Sequence, residues 1–565
     1  MCGIFGVFFG QNLDIPAIIQ SSQHLKHRGR DGVEYCIGAD KEYVIAHYRH
    51  IVIDASHGTQ PFYFGDREGQ RVIWVMNSEV YNHVSIKEQI DPNYYIETSS
   101  DSSAIGYLYK HHGEDQANMT SLVQKMDGKF AFILYDEEKK FLFIGRDHMG
   151  LCPLYWGHNK DGSIYVASEL KAIESICENY TIFPPGYCYT TTGGLQRWYD
   201  PDWQYVIPPP QNMETQCALI KDTLINACKK RLMSDVPIAF LLSGGLDSSL
   251  ICSIIKRLVS DREIHTFSIG IKGSPDLIAA KEVADFLGTI HHEYNFTVEE
   301  ALEVVKDVVY YIESFEQVRA SVPMYLLTKK IHEDGFKVVL SGEGSDEIFG
   351  GYLYFHYAPN GDEYHRELVR KVTRLHQWDV LRANKVGHAG GVEVRCPFLD
   401  RDLIEVVMNT DPALKMCDLK SKPDGIHPKL EKYILRKAFD DQDQPFLPEK
   451  LLWRQKEQFS DGVGYDWVNG LKEHSEKLIS DEVWNLRHIR YPYDAPRSKE
   501  YYLLRQIFET HFPSQSAGKT VPKDLSIACS TPEAIYWNKE WRNIQEISGR
   551  ALNIHEQGYE NDDQN

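Results

Sequence analysis

The sequence has no long uninterrupted apolar run and little positive charge. No segment approaches the roughly 18 apolar residues of a transmembrane helix, so a membrane-spanning segment is excluded. Lys and Arg number 61 against 81 Asp and Glu, which gives a formal net charge of -20. This balance argues against broad binding to nucleic acid or to an anionic membrane, although a local basic pocket could still hold phosphates.

The cysteines lack any regular spacing. There are 11 of them, an odd number, with no Cys-x-x-Cys pair. The N-terminal apolar stretch has no basic residues before it and is soon interrupted by Asp14 and Pro16, so it does not resemble a signal peptide. We therefore expect reduced thiols in a cytoplasmic protein. Ten of them are predicted to pack as small buried hydrophobic side chains, Cys2 being the exception.

Length and composition are those of a multidomain globular enzyme. The 565 residues indicate about two to four domains, and 42% hydrophobic with 25% charged residues is ordinary for such proteins. Pro208-Pro209-Pro210 excludes helix and central strand and indicates a stiff connector. We predict a first domain over 2–206, a linker over 207–212, a second domain over 213–545 and an acidic tail over 546–565.

The two predicted domains differ in their secondary-structure pattern. The first is rich in short β-type runs with a turn at Asp161-Gly162 and helices near 14–26 and 101–112, which indicates packed sheets with flanking helices. In the second, strands alternate with helices, which is typical of a parallel α/β sheet with ligands at the carboxyl ends of its strands. Residues 360–510 are predicted to be mostly helical. The predicted strands are 72–75, 130–135 and 141–144, then 237–242, 265–269, 290–294 and 337–340; the helices of the second domain include 248–259 and 277–287.

A glycine-rich turn follows the strand 237–242 and opens a helix. In Ser243–Ser249, two adjacent glycines let backbone N–H groups approach an anion, and the helix N-terminus favours negative charge. Ser243 and Ser248 offer hydroxyl donors, and Asp247 could hold Mg²⁺ against phosphate oxygens. A plain helix-capping turn is the alternative interpretation.

A second, acidic turn follows the strand 337–340. It runs from Ser341 to Glu347, and in a parallel sheet it would share an edge with the first turn. Asp247 and Asp346 could then share a metal ion, whereas a solvated loop is the alternative. Trp453–Glu457 offers the cations that such a site needs, although by itself this segment is more typical of surface.

Cys2 has a chemistry of its own. If Met1 is removed, one residue carries both a thiol and an α-amine with a reference pKa near 7.7–8.0, so the amine can serve as general base to the sulfur. No histidine partner is then required. A cysteine at this position by chance is the alternative.

Several motifs together resemble known families. Cys2–Gly6, His27-Arg28-Gly29, Arg49, Asn77–Asn82 and Asp101 resemble the glutaminase domain of class II (N-terminal-nucleophile) amidotransferases, and Ser243–Ser249 resembles the loop of N-type ATP pyrophosphatases. With Ser341–Glu347, Val394–Asp400 and Phe459–Gly462, the chain from Cys2 to about residue 545 resembles the glutamine-hydrolysing asparagine synthetases. The resemblance implies an N-terminal αββα sandwich (Ntn-hydrolase-like), followed by a parallel-sheet, Rossmann-like α/β ATP-pyrophosphatase domain with helical additions.

The resemblance also implies roles in glutamine hydrolysis. Cys2 attacks the carboxamide, and the Asn77 side chain with the N–H of Ser78 forms the oxyanion hole. Arg49 and the neighbouring backbone of residues 50–53 hold the substrate carboxylate. Glu79 and Asp101 receive its ammonium group. The implied glutamine-binding set is Arg49, His50, Ile51, Val52, Ile53, Asn77, Ser78, Glu79 and Asp101.

In the second domain the resemblance implies a site for ATP. Glu343 is the acid tied to formation of an acyl-adenylate, Arg319 is the candidate for aspartate binding, and Asp247 and Asp346 would hold Mg²⁺. Leu241 and Ile269 frame adenosine, and Lys456 lies near the pyrophosphate. The ATP-binding set is Leu241, Ser243, Gly244, Gly245, Asp247, Ser248, Ile269, Ser341, Gly342 and Lys456.

Four departures from the family pattern stand out. Arg30 replaces a proline, Ser78 replaces a glycine, Ser99-Ser100 precede Asp101 in place of Gly-Ser, and the stretch 313–321 is shorter and lacks paired threonines. If the glycine at position 78 needs a positive φ, serine there adds about 1 kcal/mol of strain. These changes bear on the glutaminase rate and on aspartate recognition.

The sequence thus predicts an enzyme with glutamine, aspartate and ATP as substrates. The β-carboxylate of aspartate would form β-aspartyl-AMP, and ammonia from glutamine would displace AMP to give asparagine, with AMP, pyrophosphate and glutamate as the other products. The resemblance further implies an internal ammonia channel and a homodimer, and we expect no nucleic-acid or membrane partner. Two alternatives remain: a β-lactam synthetase, against which Cys2 argues, and a catalytically weak relative.

Overall fold

The computed structural model describes residues 2–11, 13–65, 67–90, 94–112, 118–454, 463–492, 494–523 and 529–539. Within these ranges the chain forms two antiparallel sheets, then one parallel sheet surrounded by helices. The predicted mixed α/β fold class is confirmed. No helix among the described residues has the length and apolar character needed to cross a membrane.

The described chain contains 17 strands and 22 α-helices. The strands are β1 Gly3–Phe8, β2 Gly32–Ile37, β3 Tyr43–Arg49, β4 Phe62–Phe64, β5 Val72–Val80, β6 Gly128–Asp136, β7 Phe141–Arg146, β8 Tyr155–His158, β9 Ile164–Ala167, β10 Asn179–Ile182, β11 Tyr187–Thr190, β12 Gly194–Arg197, β13 Ile238–Leu241, β14 His265–Gly270, β15 Ile290–Asn295, β16 Val338–Leu340 and β17 Glu393–Arg395. The helices are α1 Ile15–Ser22, α2 His83–Glu88, α3 Ala104–His112, α4 Met119–Gln124, α5 Met213–Lys230, α6 Leu246–Leu258, α7 Pro275–Leu287, α8 Val298–Glu303, α9 Val305–Ile312, α10 Val318–Glu333, α11 Ser345–Phe349, α12 Gly361–Arg374, α13 Asp379–Gly390, α14 Arg401–Met408, α15 Pro412–Lys415, α16 Tyr433–Ala438, α17 Glu449–Leu452, α18 Tyr465–Leu478, α19 Asp481–Asn485, α20 Arg487–Arg490, α21 Lys499–His511 and α22 Gln515–Thr520.

The first twelve strands form a sandwich of two six-stranded antiparallel sheets. Their orders are β10-β8-β9-β1-β3-β2 and β12-β11-β7-β6-β5-β4. Alternation along β5 separates two cores: Ile73 and Val75 face the other sheet, where they join Ile4 of β1. Trp74 and Met76 face the opposite way, onto the buried residues of α3 and α4. This period of two, with helices on an outer face, gives the layered architecture.

The second half of the chain is built around a parallel five-stranded sheet. Its order is β15-β14-β13-β16-β17, and Phe240 of β13 is in register with Leu340 of β16. The carboxyl ends of these two central strands are therefore adjacent, as expected for the two glycine-rich turns. Pro208–Pro210 lie in irregular chain between β12 and α5.

The predicted strands and helices are present, with boundaries shifted by a few residues. The helix expected over 14–26 is α1 followed by a 3-10 turn at Gln23–Arg28. Strand β17 lies inside the segment predicted as mostly helical. Its three residues, Glu393-Val394-Arg395, are two charged side chains around one valine, a pattern too short and polar to indicate a buried strand.

The cysteines differ in part from the prediction. All 11 are free thiols. Of the ten apart from Cys2, six are buried as expected, but Cys36, Cys217, Cys417 and Cys529 are only partly buried. Cysteine is small enough to sit at the margin of a core, so its residue type alone does not fix its burial.

Candidate active sites

Cys2 directly precedes β1 and contacts β5 of the opposite sheet. Its backbone N–H donates to Asn77 Oδ1 of β5 over 2.9 Å, and its Sγ accepts from the backbone N–H of His50 over 3.4 Å. The side chain is buried, which raises the pKa of the Cys2 thiol. Because the thiol form is favoured, the sulfur needs a base before it can act as a nucleophile.

Asn77 combines a satisfied acceptor with an unsatisfied donor. Its Oδ1 holds Cys2, but its Nδ2 is fully buried with no hydrogen-bond partner among the described residues. A buried amide donor without a partner is costly. Its position beside Cys2 fits a donor reserved for an oxyanion that forms on a bound substrate.

Ser78 points to the opposite side of β5 and contacts Asp101. Its Oγ donates to Asp101 Oδ2 over 2.9 Å, and the N–H of Val80 donates to the same oxygen over 2.9 Å. Burial raises the pKa of Asp101, while these two donors oppose the rise. Ser78 does not have a positive φ, so the backbone strain considered for serine at this position is absent.

Glu79 is paired with an arginine of the second domain. Its Oε2 is 2.7 Å from Arg395 Nη2, although the two groups are not aligned as a hydrogen bond. Arg395 Nε also donates to Glu393 Oε1 over 2.7 Å, and Lys129 Nζ donates to the same oxygen over 3.1 Å. Burial nevertheless raises the pKa of Glu79. The carboxylate predicted to bind substrate is thus part of a buried ionic cluster across the domain boundary.

Arg49 lies at the end of β3, followed by the backbone of residues 50–53. Its Nη1 donates to Thr59 Oγ1 over 2.8 Å and its Nη2 to the carbonyl oxygen of Asp54 over 2.5 Å. Burial lowers the pKa of His50 to about 3, so its imidazole is neutral at physiological pH. Only the backbone of His50 contacts Cys2 Sγ among the recorded hydrogen bonds.

In the second domain, the turn between β13 and α6 has the geometry of an anion-binding loop. Ser243 Oγ and Ser248 Oγ are 3.0 Å apart, and the N–H of Gly245 donates to Ser243 Oγ over 3.3 Å. Gly244 has φ +75°, and a Cβ there would lie 2.5 Å from Ala279 Cβ. Glycine is therefore required for the turn to pack against α7 while α6 presents its N-terminus.

The two glycine-rich turns touch each other at Gly342. A Cβ on Gly342 would lie 2.7 Å from the backbone nitrogen of Ser248 and 2.9 Å from Cβ of Asp247. This close approach follows from the pairing of β13 with β16. It brings the acids of both turns to one region, as predicted.

Lys432 lies between the two acids predicted to share a metal. Its Nζ is 2.7 and 2.6 Å from the carboxylate oxygens of Asp247 and 2.6 Å from Asp346 Oδ1. Lys432 is 1% exposed and has φ +58°, and a Cβ on Gly351 would lie 1.9 Å from its Cε. Two convergent carboxylates beside a phosphate loop fit Mg²⁺, which prefers oxygen ligands and often takes only one or two from protein. No group of three or more His, Cys, Asp or Glu side chains among the described residues is placed to hold a metal by itself.

Glu343 is held by an arginine of α13. Its Oε1 accepts from Arg382 Nη2 over 2.7 Å, and Arg382 Nη1 is 2.7 Å from Asp379 Oδ1. These carboxylates raise the pKa of the guanidinium in spite of its burial, so Arg382 is a permanent cation here.

Arg319, the candidate for aspartate, forms a bidentate pair with Glu500, with both bonds at 2.8 Å.

Most of the residues predicted for the second site line one cavity of about 300 Å³. Gly244 is not among its lining residues, and Lys456 lies outside the described residues. Arg454 Nη1 donates to the carbonyl oxygen of Gly244 over 3.2 Å, so this part of the basic segment is at the site. The predicted residues that line the cavity are Leu241, Ser243, Gly245, Asp247, Ser248, Ile269, Arg319, Ser341, Gly342, Glu343 and Asp346.

Sequence reasoning missed several charged residues of the two sites. Lys432, Arg382 and Arg395 each neutralise a predicted acid, and Glu500 holds Arg319. Arg395 lies in the Val394–Asp400 motif that carries part of the family resemblance, but no local pattern predicts that its guanidinium pairs with Glu79. The one available signal was the excess of acids in the predicted sites, which requires cations from elsewhere.

The fold and the two sites define a glutamine amidotransferase joined to an ATP-dependent amide-forming synthase. The glutamine amidotransferase domain family matches residues 1–182, and the asparagine synthase family matches residues 219–363 and 357–537. The chain is 44% identical to asparagine synthetase [glutamine-hydrolyzing] 2 of Oryza sativa subsp. japonica over 99% of this chain and 94% of that protein. It is also 44% identical to the enzyme of Zea mays (98% and 94%) and to enzyme 3 of Arabidopsis thaliana (100% and 96%).

The chain belongs to the glutamine-hydrolysing asparagine synthetases. It is an ATP-dependent carbon–nitrogen ligase that converts aspartate to asparagine with glutamine as nitrogen donor. The predicted resemblance and the predicted overall conversion of aspartate to asparagine are confirmed, and the β-lactam synthetase alternative is set aside.

Proposed function

We propose that glutamine is hydrolysed at Cys2 and that the ammonia is used at the cavity of the second domain. The contact that carries the proposal is that of Cys2 N with Asn77 Oδ1 at 2.9 Å, next to the unpartnered Asn77 Nδ2. Once Met1 is removed, the Cys2 amine takes the thiol proton and the sulfur attacks the carboxamide carbon. The amine then passes the proton to the departing nitrogen, the carbon–nitrogen bond breaks and ammonia leaves. Water then cleaves the thioester to give glutamate.

Substrate recognition at Cys2 is proposed for Arg49, the backbone of residues 50–53, Glu79 and Asp101. Arg49 is suited to a carboxylate because its guanidinium offers parallel donors, which glutamine would take over from the carbonyl of Asp54. Asp101 and Glu79 would share the ammonium group. Arg395 already offsets part of the charge of Glu79, so Asp101 is the stronger partner in this proposal.

In the second domain we propose β-aspartyl-AMP as the intermediate. A β-carboxylate oxygen of aspartate attacks the α-phosphorus of ATP, the bond from that phosphorus to the bridging oxygen breaks, and pyrophosphate leaves. Ammonia then attacks the acyl carbon and AMP leaves. The backbone of Ser243–Ser248 and of Ser341-Gly342 would hold the phosphates. Lys456, outside the described residues, keeps the role proposed for it as a cation for pyrophosphate.

The proposed magnesium ligands are Asp247 and Asp346. When bound, Mg²⁺ neutralises phosphate charge and stabilises the leaving pyrophosphate. Glu343, held by Arg382, would orient the reacting carboxylate. Arg319 remains the candidate for binding aspartate. A carboxylate of the substrate would replace Glu500 as the partner of the Arg319 guanidinium.

A route for ammonia between the sites is supported by a second, smaller cavity. It measures about 20 Å³ and is bordered by Tyr81 and Lys129 of the first domain and by Ala383 and Cys396 of the second. A cavity of about 10–15 Å³ holds a water molecule, and ammonia is of similar size. Passage through the interior keeps ammonia unprotonated and nucleophilic.

The remaining proposals concern the domain boundaries, the oligomeric state and the location of the protein. We propose domains over 2–206 and 213–545, a linker over 207–212, a tail over 546–565, and a cytoplasmic homodimer. Sedimentation velocity on the full chain tests the dimer, for which a monomeric mass would be the contrary result.

The test of the function is a comparison of nitrogen sources. Asparagine, AMP and pyrophosphate are measured with glutamine or with ammonium for the wild type, Cys2→Ala and the control Cys152→Ala, another buried free thiol. Cys2→Ala is expected to lose glutamine-driven synthesis and retain ammonium-driven synthesis, whereas the control retains both. Glutamine-driven synthesis in Cys2→Ala, or no asparagine from either source in the wild type, would refute the proposal.

A further inference from the structure

Helix α13 is buried along almost its whole length although it is rich in polar residues. All of its residues except Leu381 are buried, among them Asp379, Arg382, Asn384 and Lys385. Burying such groups is costly unless each is paired. The partners of these side chains therefore show what the helix holds in place.

One face of α13 belongs to the cavity of the second domain. Arg382 donates to Glu343 over 2.7 Å and to Gln317 Oε1 over 3.3 Å, and all three residues line that cavity. Through Arg382, α13 is thus hydrogen-bonded to Glu343, the acid proposed to act on aspartate.

Another face of the same helix reaches the glutaminase site. Asn384 Oδ1 accepts from Arg28 Nη2 over 2.9 Å, and Asn384 Nδ2 donates to the carbonyl oxygen of Leu151 over 2.7 Å. Arg28 in turn donates from Nε to the carbonyl oxygen of Cys2 over 3.2 Å and from Nη1 to Glu169 over 2.6 Å. Arg28 is 1% exposed, so its guanidinium is oriented by contacts within the protein, these acceptors among them.

The backbone of Cys2 is held at two points. Its N–H donates to Asn77, and its carbonyl oxygen accepts from Arg28. Because Asn384 also binds Arg28, Asn384 is linked to the backbone of Cys2 through one intermediate side chain. A displacement of about 1 Å at a reacting centre can cost about 100-fold in rate.

We propose that Asn384 is a positioning residue of the glutaminase site, contributed by the synthetase domain through Arg28. This inference rests on the proposed role of Cys2. It makes the geometry of the sulfur depend on the placement of α13, and hence on the same helix that holds Glu343. The nucleophile is fully positioned only when the two domains are docked.

The test uses two substitutions of Asn384 in the full-length enzyme. Asn384→Leu keeps the size of the side chain but removes its hydrogen bonds to Arg28 and to Leu151, and it is expected to lower kcat for glutamate release about 10- to 100-fold. Asn384→Asp keeps an acceptor for Arg28 and loses the donor to Leu151, so it should retain glutaminase kcat within about threefold of the wild type. Ammonium-driven asparagine formation should stay near the wild-type rate in both.

A control and a double mutant separate positioning from general damage. Lys385 Nζ donates to Tyr155 Oη over 2.8 Å, so Tyr155→Phe breaks another bond to α13 without touching Cys2 and should leave glutaminase kcat unchanged. In an Arg28→Lys background, Asn384→Leu should lower glutaminase kcat little further, because Asn384 acts on Cys2 through Arg28.

The inference is overturned if Asn384→Leu retains wild-type glutaminase kcat. It is also overturned if Asn384→Asp is impaired as severely as Asn384→Leu, if both activities fall together, or if Tyr155→Phe has the same effect. The Cys2→Ala experiment is scored separately, so a failure of the proposed nucleophile is distinguishable from a failure of Asn384.

Discussion

Lys432 Nζ lies 2.6 Å from Asp247 Oδ2, and the same ammonium group is 2.6 Å from Asp346 Oδ1. One buried cation thus joins the acids of the two glycine-rich turns, which come from different strands. Without it, two carboxylates would face each other beside a site for polyphosphate, an arrangement that electrostatic repulsion disfavours.

Replacing Lys432 by methionine should therefore damage both stability and synthesis. Loss of one partner of a buried ion pair costs about 3–5 kcal/mol, and we expect the lower end because both acids keep some solvent contact. Asparagine formation should be lost with glutamine and with ammonium alike. Urea unfolding and AMP release measure the two effects. Lys437→Met, which removes a partly exposed pair with Asp440 just beyond the C-terminus of α16, is the control and should cost less than about 1 kcal/mol. Equal behaviour of the two variants would contradict the prediction.

Asn77→Asp should abolish most glutamine hydrolysis while sparing the second site. Aspartate keeps an acceptor for Cys2 N but removes the buried Nδ2 donor, and loss of one oxyanion donor typically lowers kcat about 100- to 1000-fold. Glutamate release is the measurement, with ammonium-driven synthesis as the internal control. A loss confined to KM would argue that Asn77 binds ground-state glutamine and not the oxyanion.

Ser78→Ala should change the pH dependence of glutamine hydrolysis. Burial raises the Asp101 pKa and the Ser78 hydroxyl opposes this, so its removal raises the pKa further. Asp101 must be ionised to bind an ammonium group, so the acidic limb of kcat/KM for glutamine should move to higher pH. A hydrogen bond to a charged group is worth about 1.5–3 kcal/mol, which corresponds to about one pH unit or more.

The control for this pH profile is Ser102→Ala. Ser102 Oγ contacts Ser78 Oγ at 3.0 Å, and no hydrogen bond from that Oγ to Asp101 is recorded. Its acidic limb should stay at the wild-type position, and a shift of equal size in Ser102→Ala would show that the limb does not report Ser78.

Gly342→Ala should separate the two glycine-rich turns. The new Cβ would lie 2.7 Å from Ser248 N, and overpacking of this kind costs about 1–3 kcal/mol. We expect KM for ATP to rise about tenfold, since 1.4 kcal/mol is a factor of ten, with no effect on glutaminase. Gly518→Ala, where a Cβ meets nothing within 4 Å, is the matched control. An unchanged KM for ATP in Gly342→Ala would mean that this contact does not shape the nucleotide site.

The sequence predicted those features that depend on neighbouring residues. The turn after β13 and the turn after β16 follow from an apolar strand, small residues and a helix start, all within a few positions. Strand β17 was missed because three residues with two charges carry no periodic signal. Its pairing with β16 is set by the tertiary fold.

The cations of the sites were missed for a related reason. Lys432 reaches Asp247 across 185 positions, and Arg395 reaches Glu79 from another domain. Such partners are brought together only by folding, so no local pattern identifies them. Arg454 was predicted as part of a basic segment, but its contact with the Gly244 carbonyl required the structure.

The buried ionic contacts between the first and second halves of the chain have a consequence for the stability of each half alone. Lys129 with Glu393 and Arg395 with Glu79 are ion pairs whose partners come from opposite halves, with almost no solvent between them. If the chain were divided at the proline-rich connector, each of the two polypeptides would expose charged groups that are buried and paired in the intact chain. We therefore expect each half to be less stable alone than within the intact chain, because its buried charges would lose their partners.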